Sequence, residues 1–265
     1  MEKEMSSPRK PFVAGNWKMN LSLTEARGLT EAVVAAGPDI GQAEVVLIPP
    51  FTSLAAVAGI VKDSPVRLGG QNCHWEDKGA FTGEISPLML KEAGCRYVLA
   101  GHSERRQYFG ETDATVNRRL RAALRHGLTP VFCLGETLAE REQGRTEARI
   151  VEQLEGGLNG LTGEEFGRIV VAYEPVWAIG TGQTATPGQA EEVHSLLRDR
   201  LAKKYGQAPS GCAIILYGGS VKPDSAFSLY QEKNIDGFLV GGASLEAGSF
   251  TAIIKESIRA DRTEK

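Results

Sequence analysis

The sequence has few residues that could form disulfides or bind a metal. Its 265 residues include only four cysteines, which lie far apart and form no C-x-x-C pair, so it carries neither a disulfide framework nor a common zinc motif. The four histidines show neither H-x-x-x-H nor H-E-x-x-H spacing, which argues against a metal site on one helical face. We therefore predict no metal, and we interpret the cysteines as reduced and mostly buried thiols.

An excess of one charge and long apolar runs are also missing. The formal net charge is −3, which gives no broad basic surface for nucleic acid or an anionic membrane. No apolar run approaches the roughly 20 residues that span a bilayer, and the polar residues 1–10 lack the apolar segment of a signal peptide. We predict a cytoplasmic protein with a small-molecule partner and a flexible leader over residues 1–10.

The sequence does contain a regular series of short apolar runs rich in β-branched residues. Several of them, such as Val45-Val46-Leu47-Ile48, are continuously apolar rather than alternating, which is typical of parallel strands covered on both faces. The runs lie roughly 20 to 45 residues apart. The eight predicted strands begin near Phe12, Val45, Val66, Tyr97, Thr129, Ile169, Ala213 and Gly237.

Helix start signals lie between these runs, so that strand and helix alternate. With no linker dividing the series, this pattern predicts an α/β fold, a closed (β/α)8 TIM barrel, as a single domain over residues 11–265. An open doubly wound sheet would gather polar residues at one switch point, whereas here they follow nearly every strand. The start signals are the capping boxes Ser22 with Glu25, Thr162 with Glu165 and Thr186 with Gln189, and the pair Ser86-Pro87.

Polar residues end several strands two positions beyond a small alanine. Because side chains alternate along a strand, each such residue shares the inward face of its alanine. Barrel enzymes collect catalytic groups at the C-terminal ends of the strands, so we expect these residues to converge there. The pairs are Ala14 with Asn16, Ala100 with His102 and Ala172 with Glu174, and Lys18 lies on the same face as Asn16.

Among the histidines only His102 follows an apolar strand, and we expect His194 on the surface of a helix.

Three of these residues suggest proton-transfer chemistry. The segment 103–106 (SERR) is typical of a helix start, whose positive end would lower the pKa of His102 and leave a neutral imidazole that donates to an oxyanion. Glu174 ends an apolar strand, where reduced solvation makes a carboxylate a stronger base. A strand-end acid paired with an arginine is the alternative, and the presence of Lys18 and His102 favours the base.

Glycine-rich turns follow the last two strands, at residues 217–221 (YGGSV) and 239–244 (LVGGAS). In barrels this position frequently binds phosphate through backbone N–H groups and a short helix N-terminus. Residues 180–185 (GTGQTA) match the loose dinucleotide pattern, but they do not follow a strand directly and the helix cap comes later, at Thr186. We therefore predict a phosphate site and no cofactor.

Five motifs together resemble the triosephosphate isomerase family. They are GNWK at 15–18, AGHSERR at 100–106, AYEPVWAIGTG at 172–182 and the two glycine turns. Their occurrence in order from about Pro11 to the last helix is far more specific than any short pattern. The leader before Pro11 is longer than many relatives carry, and Ser225 stands where Asn is frequent.

The resemblance implies a cofactor-free isomerase of glycolysis and gluconeogenesis, which interconverts dihydroxyacetone phosphate and D-glyceraldehyde 3-phosphate. It implies that Glu174 takes the proton from carbon 1, and that His102 and Lys18 stabilise an enediolate. Asn16 would then orient Lys18 and the substrate oxygen, and Glu104 would support the site from behind.

The resemblance also implies how the substrate is held and how subunits associate. Residues 175–185 would form a lid that closes over the phosphate. Residues 71–84 would insert into a second subunit, giving a homodimer in which Thr82 lies near Asn16 and Lys18 of the neighbour. The phosphate would be held by backbone N–H groups of Gly180, Ser220, Gly241 and Gly242.

Two other functions share the same fold and stay open. One is a different phosphate-binding barrel, either an isomerase of a larger sugar phosphate or an aldolase with Lys18 as its Schiff-base amine. The other is an inactive barrel kept as a binding or scaffold protein. The presence of Lys18, His102 and Glu174 together argues against the inactive barrel.

Overall fold

A computed structural model describes residues 10–180 and 184–263 of the chain. Its strands are β1 (Phe12–Asn16), β2 (Glu44–Ile48), β3 (Arg67–Gly70), β4 (Tyr97–Ala100), β5 (Thr129–Leu134), β6 (Val170–Tyr173), β7 (Ile215–Tyr217) and β8 (Gly237–Val240). Its α-helices are α1 (Leu23–Ala35), α2 (Gly37–Ile40), α3 (Leu54–Val61), α4 (Pro87–Glu92), α5 (Ser103–Tyr108), α6 (Asp113–Arg125), α7 (Leu138–Glu142), α8 (Thr146–Gly157), α9 (Gly163–Phe166), α10 (Pro187–Tyr205), α11 (Gln207–Cys212), α12 (Pro223–Tyr230) and α13 (Ala247–Arg262). Short 3₁₀ helices cover Phe51–Ser53, Val176–Ala178 and Gly242–Leu245.

The strands form one closed parallel barrel. Each strand pairs with the next along the chain, and β8 pairs with β1. At that seam Phe12 lies opposite Glu44 on one side and Gly237 on the other. Every strand begins within two residues of its predicted start. The predicted (β/α)8 barrel is confirmed, and the open doubly wound sheet is excluded.

Two apolar cores hold the barrel together. The inner core fills the barrel with alternate strand residues, and the outer core lies between the strands and the helices. On β1, Phe12 and Ala14 belong to the inner core, whereas Val13 and Trp17 belong to the outer one. Because both faces of each strand are covered, the strands read as continuous apolar runs. Asn16, two residues beyond Ala14, therefore reaches the mouth of the barrel, as the alternation predicts.

The helices begin where the capping signals predict. Ser22, Thr162 and Thr186 each accept a hydrogen bond from the backbone N–H three residues later, and the partner side chain returns the contact. Ser86 caps α4, with Pro87 as the first helical residue. These caps satisfy N–H groups that would otherwise lack partners at the helix start. The Thr112 and Thr137 capping boxes, which start α6 and α7, did not enter the sequence prediction.

The expectation for Ala100 is wrong. Leu99 belongs to the inner core and Ala100 to the outer one, so no inward alanine lies beneath His102. The strand ends at Ala100, and Gly101 then adopts a φ of 78°, a left-handed conformation that costs a glycine little. The turn at Gly101, rather than continued strand alternation, brings His102 to the mouth.

Several other predictions concern the surface and the termini. Cys73, Cys95 and Cys133 are buried free thiols and Cys212 is exposed, which agrees with the interpretation of mostly buried cysteines. Residues 1–9 of the predicted leader lie outside the described residues, and Lys10 is exposed. Within residues 10–180 and 184–263, no helix combines the length and apolar character needed to cross a membrane.

Candidate active site

A cavity of about 270 Å³ opens at the C-terminal end of the barrel. Loops after five different strands line it, so residues far apart in the sequence meet there. The catalytic candidates and the glycine-rich turns share this one cavity, as their strand-end positions predict. The predicted site residues that line it are Asn16, Lys18, His102, Glu174, Gly180, Ser220, Gly241 and Gly242.

Glu174 is a buried carboxylate with two partners at the floor of the cavity. It follows β6 directly and is only 1% exposed. Its Oε1 lies 2.9 Å from Nε2 of His102, and its Oε2 accepts a 2.8 Å hydrogen bond from the backbone N–H of Ser103. The positive N-terminus of α5 and the imidazole thus stabilise the charge on Glu174.

His102 is the N-cap of α5, and its ring is held from both sides. Nδ1 accepts a 3.2 Å hydrogen bond from the backbone N–H of Glu104, so a neutral ring carries its proton on Nε2, which faces Glu174. Burial alone would lower the pKa of His102, but the carboxylates of Glu174 and Glu104 outweigh it and raise the pKa. The predicted lowering is wrong for this arrangement, because it counted the helix end and not the carboxylate at 2.9 Å.

Lys18 reaches the cavity through an unusual backbone conformation. Its φ is 52°, a left-handed value that costs a residue with a side chain about 1–3 kcal/mol. The backbone N–H of Lys18 donates to Oδ1 of Asn16 over 3.1 Å, and Nε2 of Gln71 donates to the Lys18 carbonyl over 2.7 Å. Nothing in the local sequence indicates that Gln71 holds this turn.

Glu104 lies behind the cavity and pairs with Lys18. Its Oε1 is 2.7 Å from the Lys18 ammonium, and its side chain is 39% exposed. As a member of α5 it also donates its backbone N–H to His102. Glu104 therefore contacts two catalytic candidates without lining the cavity, the position the resemblance implies.

The glycine-rich turns form the opposite wall of the cavity. The turn after β8 leads into the 3₁₀ helix Gly242–Leu245, so that backbone rather than side chains borders the space. Ser220 lies in the turn after β7, and both its N–H and its hydroxyl donate to the carbonyl of Ala178, over 3.1 and 3.0 Å. This wall combines glycine backbone with a helix start, features that suit an anion.

Sequence comparison identifies the family. A family model described as triosephosphate isomerase matches residues 11–257. The triosephosphate isomerase of Moorella thermoacetica is 53% identical over 248 residues, covering 93% of this chain and 98% of that protein. The protein of that name from Herpetosiphon aurantiacus is 52% identical over 247 residues, covering 93% and 99%. The chain belongs to the triosephosphate isomerase family.

The lid that this family implies, residues 175–185, is described in part. Val176–Ala178 form a 3₁₀ turn, and Ile179 and Gly180 border the cavity. Residues 181–183 of the predicted lid lie outside the described residues. The indole N–H of Trp177 donates over 2.9 Å to Glu136, which is fully buried and also accepts from the Tyr173 hydroxyl. Glu136 thus holds the start of the predicted lid, a role that no local sequence pattern indicates.

No residue of the predicted partner-binding loop, residues 71–84, lines the cavity of its own chain. Thr82 is exposed and does not line that cavity. Phe81 is 44% exposed, and its ring packs against His74. Asp77 ties the loop to the end of α6 through Arg125 and His126, at 2.9 and 2.7 Å. Of the ten predicted site residues, Thr82 alone has no place near this cavity, as the triosephosphate isomerase resemblance implies for a residue that serves a partner.

His194 corrects a further expectation. It is fully buried rather than on the surface, and its Nδ1 lies 3.1 Å from the carbonyl of Asn234. It packs edge to face with Tyr173 of β6, on the inner side of α10. Among the described residues, no group of three or more His, Cys, Asp or Glu lies close enough to hold a metal ion.

Proposed function

We propose that the chain interconverts dihydroxyacetone phosphate and D-glyceraldehyde 3-phosphate through an enediolate, without a cofactor. The observation that carries the proposal is the arrangement of a buried carboxylate 2.9 Å from an imidazole Nε2, in one cavity with an ammonium group. These are the base, the hydrogen-bond donor and the cation that proton transfer beside a carbonyl needs. Membership of the family supports the same reaction.

The reaction moves one proton between the two carbons and one between their oxygens, and leaves the composition of the substrate unchanged. Glu174 takes a proton from carbon 1, and the C–H electron pair forms the enediolate while the carbonyl oxygen gains negative charge. The Nε2–H of His102 and the ammonium of Lys18 stabilise that oxygen. Return of the proton to carbon 2, together with transfer of the hydroxyl proton on carbon 1 to the oxygen on carbon 2, gives the aldehyde. Asn16, which holds the Lys18 backbone, and Glu104, which holds its ammonium, keep the cation in place.

Substrate must exchange partners with the resting site. Glu174 binds His102 and Ser103 in the structure, so its carboxylate has to turn from them toward carbon 1. That movement removes the main influence that raises the pKa of His102. Burial and the Lys18 ammonium, which lower the pKa, are then opposed only by the weaker effect of Glu104. The imidazole that faces the enediolate is therefore neutral and donates through Nε2.

The phosphate binds at the opposite wall and serves as a handle. Backbone N–H groups of Gly180, Ser220, Gly241 and Gly242 would hold it. Ser220 must give up its present acceptor, Ala178, so phosphate binding is coupled to movement at the start of the lid. Lid closure would exclude water and hinder loss of phosphate from the enediolate. Binding energy far from the reacting carbons would thus serve catalysis.

The competing activities fit the cavity less well. Its volume of about 270 Å³ lies just under the roughly 300–1,000 Å³ typical of sites for larger ligands, which favours a triose over a longer sugar. An aldolase would need a free amine on Lys18, whereas that amine is in an ion pair with Glu104 at 2.7 Å.

We further propose that residues 11–265 form one catalytic domain and that the chain acts as a homodimer in the cytoplasm. The family match over residues 11–257 supports the domain. The exposed Phe81 and Thr82 support a partner-binding loop, because an aromatic side chain that is 44% exposed gains from burial in an interface. The free cysteines suit a reducing compartment.

The deciding experiment compares Glu174→Asp with wild type in both directions of the isomerisation. The shorter side chain withdraws the carboxylate by about 1 Å or more, and a misplacement of that size costs about 100-fold in rate. We expect kcat to fall at least that far while KM changes little. Glu164→Asp, the same change at an exposed position in α9, should leave turnover unchanged. Folded wild type without turnover would reject the isomerase, and full activity in Glu174→Asp would reject the base.

A further inference from the structure

Lys222 lies at the outer edge of the active-site cavity, beyond the turn that contains Ser220. It lines the cavity together with Ser220, Gly241 and Gly242, the residues proposed to hold the phosphate, and its side chain is exposed. Its backbone is extended, with φ −126° and ψ 162°, at the N-cap of α12. The position places a flexible cation beside the phosphate subsite.

The charges around the cavity make this lysine unusual. The lining residues include two cations, Lys18 and Lys222. Lys18 is in an ion pair with Glu104 at 2.7 Å, whereas no described carboxylate lies within ion-pair distance of Lys222. Without Lys222, the ammonium of Lys18, already paired with Glu104, would stand with the lining carboxylate of Glu174 as a doubly charged phosphate approaches. Lys222 therefore supplies the positive charge that the rest of the site lacks.

The side chain of Lys222 is not needed to build the turn. Its backbone N–H donates to Oγ of Ser225 over 3.1 Å, and its carbonyl accepts from the backbone N–H of Ser225. Asp224, in the first turn of α12, is exposed and does not line the cavity. Replacing the ammonium therefore leaves the N-cap contacts of α12 in place, so a loss of activity can be assigned to the charge.

We propose that Lys222 is an electrostatic binding residue, which attracts the dianionic phosphate of the substrate to the glycine-rich wall and stabilises it there. The inference rests on the proposed function, and extends the phosphate subsite from backbone N–H groups to a charged side chain. An exposed cation at the rim of a concave site acts over several ångströms and raises the local concentration of anions. The Lys222 ammonium acts on substrate binding and not on the chemical step, so its removal should change KM and not kcat.

The test uses Lys222→Met and Lys222→Arg, with Lys203→Met as the matched control. Lys203 is an exposed lysine near the C-terminal end of α10, the end of the helix opposite the barrel mouth. At about 0.01 M ionic strength, where the screening length is about 30 Å, we expect Lys222→Met to lower kcat/KM about 3- to 10-fold through KM. At about 0.5 M the difference should shrink below about twofold. Lys222→Arg and Lys203→Met should stay within about twofold of wild type.

A second readout does not depend on turnover. Calorimetric titration with inorganic phosphate should give a weaker affinity for Lys222→Met than for wild type, by a similar factor and with the same salt dependence. Equal phosphate affinity in Lys222→Met and Lys203→Met would overturn the proposal, as would a loss of kcat/KM that persists at high salt. Wild type without turnover would reject the isomerase alone, because phosphate affinity still tests Lys222.

Discussion

Gly218 gives the sharpest test of how tightly the fold holds the proposed base. A methyl group added at this position would lie 3.0 Å from Cγ of Glu174 and 3.1 Å from the carbonyl oxygen of Tyr173. Gly218 is not among the glycines with a left-handed backbone, so an alanine there does not meet the strain of that conformation. The substitution Gly218→Ala therefore acts through these two contacts.

The size of the effect follows from the distances. Ordinary contact begins at 3.4 Å, so the Glu174 side chain must retreat by about 0.4 Å, because the Tyr173 carbonyl belongs to β6 and yields less. If a 1 Å displacement costs about 100-fold, this one costs about 5- to 10-fold in kcat. The crowding should also lower the free energy of unfolding by about 1–3 kcal/mol. Each kcal/mol lost should lower Tm by about 2–4 °C.

The assay measures kcat and Tm of Gly218→Ala beside Gly28→Ala. Gly28 is an exposed residue within α1, and an added methyl group there has no neighbour within 4 Å. We expect Gly28→Ala to be fully active and more stable by about 0.5–1 kcal/mol. Gly218→Ala with the kcat and Tm of wild type would refute the reasoning, because it would mean that the carboxylate tolerates displacement.

Two predictions concern the imidazole and the subunit contact. The pKa of His102 is raised chiefly by Glu174 against the opposing effect of burial, so its stabilisation is fully present below about pH 6.5 and is lost as pH rises through the raised pKa. NMR titration should show that pKa falling in Glu174→Gln, and an unchanged value would contradict the pairing. Phe81→Ser should yield monomers with little turnover in sedimentation analysis, whereas Leu138→Ser, at a side chain equally exposed at 44%, should remain dimeric. A dimeric and active Phe81→Ser would contradict the proposed role of the loop.

The parts of the site that the sequence predicted are those that follow from strand position. Asn16 and Glu174 reach the mouth because each lies two residues beyond an inner-core alanine. Parallel strands bring their C-terminal ends to one edge whatever the distance between them in the chain. Local patterns were therefore sufficient to predict that these residues meet. The roles of the individual residues came from the family resemblance.

The expectations that failed depend on contacts between distant segments. The pKa of His102 is set by a carboxylate more than 70 residues away in the sequence and not by its own helix alone. His194 is buried because Asn234 and Tyr173 cover it, although its helix presents other polar residues nearby. The left-handed turn at Lys18 is held by Gln71, 53 residues away. No local pattern encodes such pairings, because each partner arrives through the closure of the barrel.

The contacts made without substrate explain why phosphate binding and proton transfer are coupled. Glu174, His102 and Lys18 already have partners in the structure, and Ser220 is bonded to Ala178 at the start of the lid. Turning Glu174 to the substrate costs free energy, because a buried carboxylate leaves two hydrogen bonds. The phosphate end of the substrate can supply that free energy when it replaces Ala178 as the partner of Ser220. A triose without the phosphate would leave Glu174 in its resting contacts, so the reaction depends on a group that the chemistry itself never changes.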